Sequence, residues 1–530
     1  MVDKKYTNFR LLIRNYLSII SILYLLACNQ EKENSSWQLH LHGQGTASSP
    51  RLSDLNQDGI LDIVLGVGGT ENVPNDTAVI ALDGADGTLL WHVPGRNQIV
   101  GSAIFKDISG DKVPDVFIGG RTGELMCING NNGKVIWRFY PLEAKQKPAE
   151  VGIYNFYNPQ FTHDLDRDGH EDLLIANGGN YLIKAYDPNR PAGKLMVVSS
   201  ATGKVLTEAQ VPDGKETYMS PVKADLRHNG AEEIIFGTGG ETIGGKLYRV
   251  NLQDLFRNDL SRAVVLAESK NKGFISPPVI ADITQDGILD IIANAVDGKT
   301  IAIDGATNKI LWETIFRGTE LYSSPAIGFF NADSIPDFFI NGGLGVWPHI
   351  RESTQCLING KNGKIESQTN SGSFMYASPV VTDYNHDGFD DVLMNINLSR
   401  SPVTYRRIAS SQLYIFDFHQ NTRYPIGDTL AGSNIACTSW IGDVDKDGKL
   451  DIISSTIKLA GRNSNDIDQP SDLRIFRLKT DVAVNSEVKW SAYMGKNYDG
   501  IFTGLPSGKI LKQMASPELK NVGYQVKNQN

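Results

Sequence analysis

Short apolar runs, rather than helical stripes, organise this chain. In Asp62-Ile63-Val64-Leu65-Gly66 and Asp290-Ile291-Ile292-Ala293 the hydrophobic residues stand together, are rich in β-branched types and lack the three-and-four spacing of a helix face. The pattern predicts strands. Each run belongs to a phrase that returns eight times: a Ser-Pro pair or a variant of it, a short strand, an acidic loop, a second strand, and often a Gly-Gly or Asn-Gly-Gly stop. The loops open at Asp54, Asp107, Asp164, Asp225, Asp282, Phe329, Asp383 and Asp443. Proline precedes the first strand at Pro50, Pro159, Pro221, Pro277, Pro325 and Pro379, where a missing backbone donor costs a sheet little.

A second phrase follows most loops: a strand, a turn of Gly, Asp and Asn, and a strand ending in Trp. It runs from Ala81 to Trp91, from Asn129 to Trp137 and from Asp304 to Trp312, and returns without Trp from Asn359 to Ile365. Asp-Gly and Asn-Gly turns favour tight hairpins, so each repeat reads as four antiparallel strands. Four-stranded repeats bury both faces only against neighbours, and closing the row into a ring protects its edges. The expected fold is all-β, a single β-propeller over residues 37–500, eight-bladed by its repeats. Seven blades stay open, because Trp37–Leu41 and Val488–Met494 both read as a last strand. Residues 501–530 form a tail whose packing the pattern leaves unspecified.

The acidic loops carry the candidate chemistry. The fullest read Asp164, Asp166, Asp168, Asp172 and Asp443, Asp445, Asp447, Asp451, with a Gly after the third Asp. Calcium takes six to eight oxygens, and alternating carboxylates on a loop bent by Gly converge on one centre, joined by the backbone carbonyl of the seventh residue, His170 or Lys449 here. Two further copies, Asp54, Asn56, Asp58, Asp62 with Ile60 and Asp383, Asn385, Asp387, Asp391 with Phe389, replace one carboxylate by an Asn oxygen. Asp282, Thr284, Asp286, Asp290 with Ile288 is a weaker set, and Asp107, Ser109, Asp111, Asp115 has Lys112 in place of the Gly. Four Ca2+ sites are therefore expected, and up to six. Arg227 disables the fourth loop, and Phe329 opens the sixth without a carboxylate.

These loops match an EF-hand over their first positions but lack its flanking helices and its last Glu. Across residues 37–500 they closely resemble the FG-GAP or VCBS repeats of integrin-α-like propellers, while the Trp-ended phrases resemble the repeats of PQQ-type quinoproteins. The resemblance implies calcium in the loops between the first and second strands of each blade, lettered A and B from the centre outward. It also implies that the C–D turns share that face. The opposite face then receives the long loops, including residues 140–160, 180–194, 344–352 and 399–410, with Trp347, His349, Arg351, Arg400, Arg406 and Arg407. Phe156, Tyr218, Phe274, Tyr322 and Tyr376, each three residues ahead of its Pro, form an aromatic ring at that mouth of the channel. In the propellers resembled, aromatics there form a cup for a partner's basic side chain. The ring here is expected to hold a cation, to stack on a sugar, or to pack against neighbouring blades.

Composition narrows the setting. Of 530 residues 41% are hydrophobic and 21% charged, as in globular proteins, and a net charge of −9 argues against nucleic acid as a partner. Lys4, Lys5, Arg10 and Arg14 precede an apolar run, Leu17–Ala27, that is short for a membrane span. Residues 1–27 read as a signal peptide. Leu25-Leu26-Ala27-Cys28 resembles a bacterial lipobox, which implies lipidation of Cys28, a polar linker at 28–36 and an outer-membrane lipoprotein held to the membrane by that anchor alone. An uncleaved membrane anchor is the alternative. Cys127, Cys356 and Cys437 are too few and too scattered for a disulfide framework and read as buried core residues.

No catalytic constellation is present: there is no His-Glu-x-x-His, no Gly-x-Ser-x-Gly and no His/Cys cluster. Gly240–Lys246 mimics a phosphate loop, but Leu247 stands where Ser or Thr would hold magnesium. The expected function is a calcium-stabilised, extracytoplasmic binding or adhesion module for a glycan or protein ligand on the face opposite the calcium loops. The alternatives are a lyase-like or quinoprotein-like enzyme and an envelope assembly scaffold.

Overall fold

Turn chemistry and strand propensity act together to pair each repeat with itself. In the computed structural model, which describes residues 35–140, 154–180, 183–184, 186–347, 349–373, 375–399, 408–459, 470–484 and 488–515, blade 1 consists of strands Arg51–Ser53, Asp62–Gly66, Asn75–Leu82 and Leu89–Gly95, paired in that order. Eight such sheets make up the ring. In blades 3 and 6 the innermost strand is split in two, as with Asn155–Phe156 and Gln160–Phe161, both pairing with Leu173–Gly178.

The question of seven or eight blades is settled at the closure. Trp37–His42 pairs antiparallel with Pro470–Ala483, Trp37 opposite Arg477 and His42 opposite Asp472, and so supplies the outermost strand of blade 8. The segment around Trp490, which the hydrophobic pattern offered as a last strand, joins no blade. Trp37–His42 already fills the outer edge of blade 8, and the Trp490 segment meets inner strands of the ring through isolated bonds instead.

Burial follows the layers. Asp62–Gly66 and Asp115–Gly119 are buried along their whole length, whereas outer strands such as Val135–Arg138 expose Val135 and Ile136 and bury Trp137. Core clusters straddle blades: Val64, Ala81 and Trp91 of blade 1 pack with Val116, Met126 and Ile128 of blade 2. Each such aliphatic side chain contributes about 1.5–3 kcal/mol, so the interfaces between blades hold the ring together. The three cysteines Cys127, Cys356 and Cys437 are free and buried.

Two repeated devices lock neighbours. The Trp-ended phrase sends each indole N–H to a turn carbonyl of the next blade: Trp91 to Gly130 (2.7 Å), Trp137 to Ser200 (2.6 Å), Trp312 to Gly360 (2.8 Å) and Trp37 to Gly84 (3.0 Å). The turn needs glycine beneath the indole. At Gly133, with φ +71°, an added Cβ would lie 2.7 Å from Trp91. The Ser-Pro phrase explains itself similarly. Where a proline follows, as after Ser49, Ser324 and Ser378, it holds this residue extended; with or without it, the residue at this position bonds to its counterpart one blade on. Ser49 N–H donates to Ser102 Oγ (3.0 Å), Ser102 N–H to Asn158 Oδ1 (2.5 Å), Ser324 N–H to Ser378 Oγ (3.0 Å) and Ser378 N–H to Thr438 Oγ1 (2.9 Å). Thr438 N–H returns to Ser49 Oγ at 3.0 Å across the seam, while Ser276 Oγ and Ser324 Oγ accept no such bond and interrupt the series.

The tail occupies the channel. Trp490 O accepts from Val381 N–H of blade 7 (2.9 Å), Ser491 O from Ile441 of blade 8 (2.8 Å) and Gly500 O from Ile280 of blade 5 (2.9 Å), while Phe502 N–H donates to Ile280 O (2.8 Å). Tyr498 covers the guanidinium of Arg51 in blade 1 at 3.7 Å. Trp490, Ala492, Met494 and Phe502 are buried. The segment enters and leaves on the side of the acidic loops, where Val484 N–H meets Gly448 O (2.8 Å) and Ser507 Oγ bonds to Gly388 O.

Candidate functional site

The acidic loops share one backbone. Their fourth residue and the glycine two further on are both left-handed: Gln57 and Gly59 at φ 61° and 89°, Arg167 and Gly169 at 63° and 95°, His386 and Gly388 at 58° and 90°, Lys446 and Gly448 at 62° and 80°. This bend turns amide donors onto the carboxylates. In blade 3, Gly169 N–H donates to Asp164 Oδ2 (2.9 Å), His170 N–H to Asp168 Oδ1 (2.9 Å) and Leu165 N–H to Asp172 Oδ2 (2.7 Å). The same contact to the fifth residue is made by Ile60 to Asp58 (2.8 Å), Ile288 to Asp286 (2.8 Å), Phe389 to Asp387 (2.9 Å) and Lys449 to Asp447 (2.8 Å). The C–D turn lies on the same side: Gly84 N–H donates to Asp62 Oδ1 at 3.1 Å.

Blades 1, 3 and 7 leave charge uncompensated. Asp164, Asp166 and Asp172 bring oxygens within 4.8 Å of one another. Asp54 Oδ1, Asp172 Oδ1 and Asp387 Oδ2 are buried without a hydrogen-bond partner, one in each of these loops. Burial pushes the carboxyl of Asp62 up to about 7, of Asp172 to about 6 and of Asp391 to about 8, each also raised by neighbouring aspartates. No lysine or arginine among the described residues pairs with the loop aspartates of blade 3. Clustered hard oxygen donors with an orphaned buried carboxylate oxygen fit a divalent cation such as calcium. In blade 7 a residue outside the loop joins the set: Asp417, from the C–D turn, accepts from Asn385 Nδ2 at 2.8 Å.

Elsewhere the protein supplies its own partners. In blade 2, Asn129 Nδ2 donates to Asp111 Oδ2 (2.8 Å) and Ser109 Oγ (3.1 Å), and amides hold Asp107 and Asp115. Blade 5 has the same amide bonds as blade 3, Gly287 N–H to Asp282 (3.0 Å) and Thr284 N–H to Asp290 (3.0 Å), but leaves no buried oxygen of Asp282, Asp286 or Asp290 unpaired. In blade 4, Arg227 and Arg249 both reach Glu233. Blade 6 has the buried Phe329 and an Asn331 to Asp337 bond of 2.7 Å. In blade 8, Arg477 and Lys479 hold Asp445, Arg477 also holds Asp451, and Lys479 also reaches Asp447.

At the opposite mouth the aromatic ring is reshaped. Phe156 and Phe274 are fully buried in cores between blades and are out of reach of a ligand in the channel mouth. Their apolar rings follow the strand core, and at blade 3 the partly exposed side chain is the next one, Tyr157, which the recurrent spacing passed over. Tyr157 meets Tyr218 edge-on with ring centres 6.0 Å apart, and Tyr322 meets Tyr376 edge-on at 4.9 Å. Between them stand ion pairs that sequence reading missed because their members lie in separate loops: Arg121 with Glu71, Arg190 with Glu216 (2.8 Å) and Lys272 with Glu320. Tyr218 and Tyr322 donate their hydroxyls to Glu216 (2.8 Å) and Glu320 (2.7 Å), and Trp347 N–H also reaches Glu320 (3.1 Å). Burial and these carboxylates drive both phenols upward. Glu241 has no ion pair within 4.0 Å among the described residues; burial raises its carboxyl, with Arg121 and Lys272 working against that. Cys28, Arg400, Arg406 and Arg407 lie outside the described residues.

Comparison with known proteins supports the architecture. Residues 75–151 match the family described as outer membrane protein assembly factor BamB. Over 402 residues the chain is 23% identical to human protein FAM234B, a match covering 70% of this chain and 61% of that protein, so the chain spans less than two thirds of that relative. Quinohemoprotein alcohol dehydrogenase ADHIIG from Pseudomonas putida HK5 superposes with a TM-score of 0.54 at 10% identity, over 85% of this chain and 77% of the other. Rhamnogalacturonan lyase YesW does so with a TM-score of 0.51 at 13% identity, over 89% and 79%. At such identities the likeness is one of fold. The chain is an eight-bladed β-propeller in which residues 75–151 match the BamB family.

Proposed function

We propose that this propeller is a calcium-stabilised, extracytoplasmic binding module that engages a glycan or protein ligand at the mouth opposite the acidic loops. The observation that carries the reading is the division of the two faces. One face holds the carboxylate loops and the tail in the channel; the other gathers Tyr157, Tyr218 and Tyr376, partly exposed, with the mostly buried Tyr322 beside Tyr376, and is read as a cup. Tyrosine rings with ordered hydroxyls suit sugar faces and protein side chains alike. In the cup Arg121, Arg190 and Lys272 are each neutralised by a glutamate, which favours a neutral or cationic ligand over an acidic polysaccharide. That charge balance weighs against the lyase-like alternative. The scaffold alternative draws on the BamB match alone, and the quinoprotein alternative on shared fold. Calcium in blades 1, 3 and 7, attachment through a lipidated Cys28 and an outer-membrane location belong to the same proposal.

A glycan and peptide array probed with the mature chain tests it. Binding that falls at least tenfold in Tyr218→Ala and Tyr322→Ala, with unchanged circular dichroism, supports the reading. Undiminished binding by both variants removes the cup from it.

A further inference from the structure

We propose that blade 8 is latched by two side chains of its own, Arg477 and Lys479, which stand in the place of a metal ion, so that the ring closes without calcium. This rests on the calcium reading of blades 1, 3 and 7 and departs from what the loop sequence of blade 8 predicts.

The loop itself is not at fault. Asp443, Asp445 and Asp447 bring oxygens within 4.8 Å of one another, as in blade 3. What differs lies on the C strand. Arg477 Nε donates to Asp451 Oδ1 (2.9 Å) and its Nη2 to Asp451 Oδ2 (3.0 Å) and to Asp445. Lys479 Nζ reaches Asp445 Oδ2 (2.6 Å) and Asp447 Oδ2 (2.8 Å). The Arg477 side chain is wholly buried, and a bidentate guanidinium–carboxylate pair is strong and directional. A calcium ion entering here would have to share Asp445 and Asp451 with a fixed cation that has no route to solvent.

A second blade shows that the arginine is a built substitute. Arg249 stands opposite Ile235, two residues beyond Glu233, and Arg477 opposite Ile453, two residues beyond Asp451, so the two arginines share one register. Both bind the acid that ends the loop, and both give Nη1 to the turn glycine of the next blade, Arg249 to Gly305 O (2.8 Å) and Arg477 to Gly84 O (3.0 Å). Blade 4 is the one whose loop carries Arg227 in a ligand position. In the remaining blades this register holds Ala81, Cys127, Val197, Ala302, Leu357 and Ile415, none of which carries charge. The orphaned carboxylate oxygens agree. At the ligand positions of the loops they occur in blades 1, 3 and 7, at Asp54, Asp172 and Asp387, and at none of Asp443, Asp445, Asp447 and Asp451 in blade 8.

The test counts metal per chain in the full mature protein, by elemental analysis after dialysis against calcium and by titration with terbium. Asp164→Asn with Asp168→Asn is expected to lose one ion per chain, and Asp443→Asn with Asp447→Asn none. Arg477→Gln with Lys479→Gln is expected to gain one; Lys479→Gln alone, part-exposed and tolerant, is expected to raise terbium affinity at blade 8 at least tenfold. Loss of an ion from the Asp443/Asp447 variant overturns the latch and leaves the calcium reading standing. A wild-type chain that binds neither metal overturns both.

Discussion

The loops of blades 3 and 8 are nearly the same nine residues, yet they meet different surroundings. Asp164, Asp166, Asp168 and Asp172 face only backbone amides and one another; Asp445, Asp447 and Asp451 face Arg477 and Lys479, and Asp443 alone keeps only its amides. The electrostatics diverge accordingly. At the ninth position burial raises both Asp172, to about 6, and Asp451, the latter held back by Arg477; at the third, Asp445 is drawn down to about 2, against burial, by hydrogen bonds from Lys479 and Arg477. Loop spelling therefore sets the geometry of a carboxylate cage, and the neighbouring C strand decides whether the cage is left for an outside cation. Blade 8 is also the seam, where Trp37–His42, the first described strand, pairs with the C strand that carries Arg477 and Lys479.

The largest effect that would break this comparison is at the seam. Arg477→Ala leaves Asp451 and Asp445 buried beside each other without their cation, and breaking a buried pair from one side costs about 3–5 kcal/mol. Chemical denaturation of this variant is expected to show a loss of that size, larger than for Asp172→Asn in metal-free protein, where a repulsive carboxylate is removed. Equal losses would mean that the two loops are electrostatically alike after all.

Chelation should separate the blades next. At a calcium concentration 100-fold above the dissociation constant, one site adds about 2.7 kcal/mol, and stripping it removes that amount. Melting followed by hydrogen exchange is expected to show amides of the loops at 54–62, 164–172 and 383–391 losing protection on chelation, while those of 443–451 and Trp37–His42 keep theirs. Uniform loss around the ring would contradict a calcium-free seam.

Much of this molecule can be read from its sequence, and the limits are instructive. Strands, hairpins and the eightfold repeat follow from local patterns, because short β-branched apolar runs and Asp-Gly turns act within a few residues. The position of Trp490 does not: it packs against Val381 of blade 7, far back along the chain, and its apolar, Trp-bearing segment looks locally like the strands it does not join. The aromatic ring was half legible for a similar reason. Tyr218, Tyr322 and Tyr376 sit at the mouth, but the same register in blades 3 and 5 holds Phe156 and Phe274, which carry no hydroxyl and bury themselves completely. Arg477 was illegible as a latch because it lies beyond the loop it serves and reads, within its strand, as a surface cation between Phe476 and Leu478.

The finest distinction concerns the tryptophans on either side of the seam. Trp91 gives its indole N–H to Gly130 O at 2.7 Å, and Trp37 gives its own to Gly84 O at 3.0 Å. Replacing either by Phe keeps a ring over the turn glycine and deletes the donor, a change worth about 1 kcal/mol when a buried carbonyl loses its partner. Gly84 O, however, also accepts from Arg477 at 3.0 Å, so its carbonyl stays satisfied without the indole. Trp37→Phe is therefore expected to cost about half as much as Trp91→Phe or less, and the gap should close when both are measured in an Arg477→Gln background. A Trp37→Phe cost equal to that of Trp91→Phe in the otherwise wild-type chain would show that Arg477 neutralises the loop without bracing the turn across the seam.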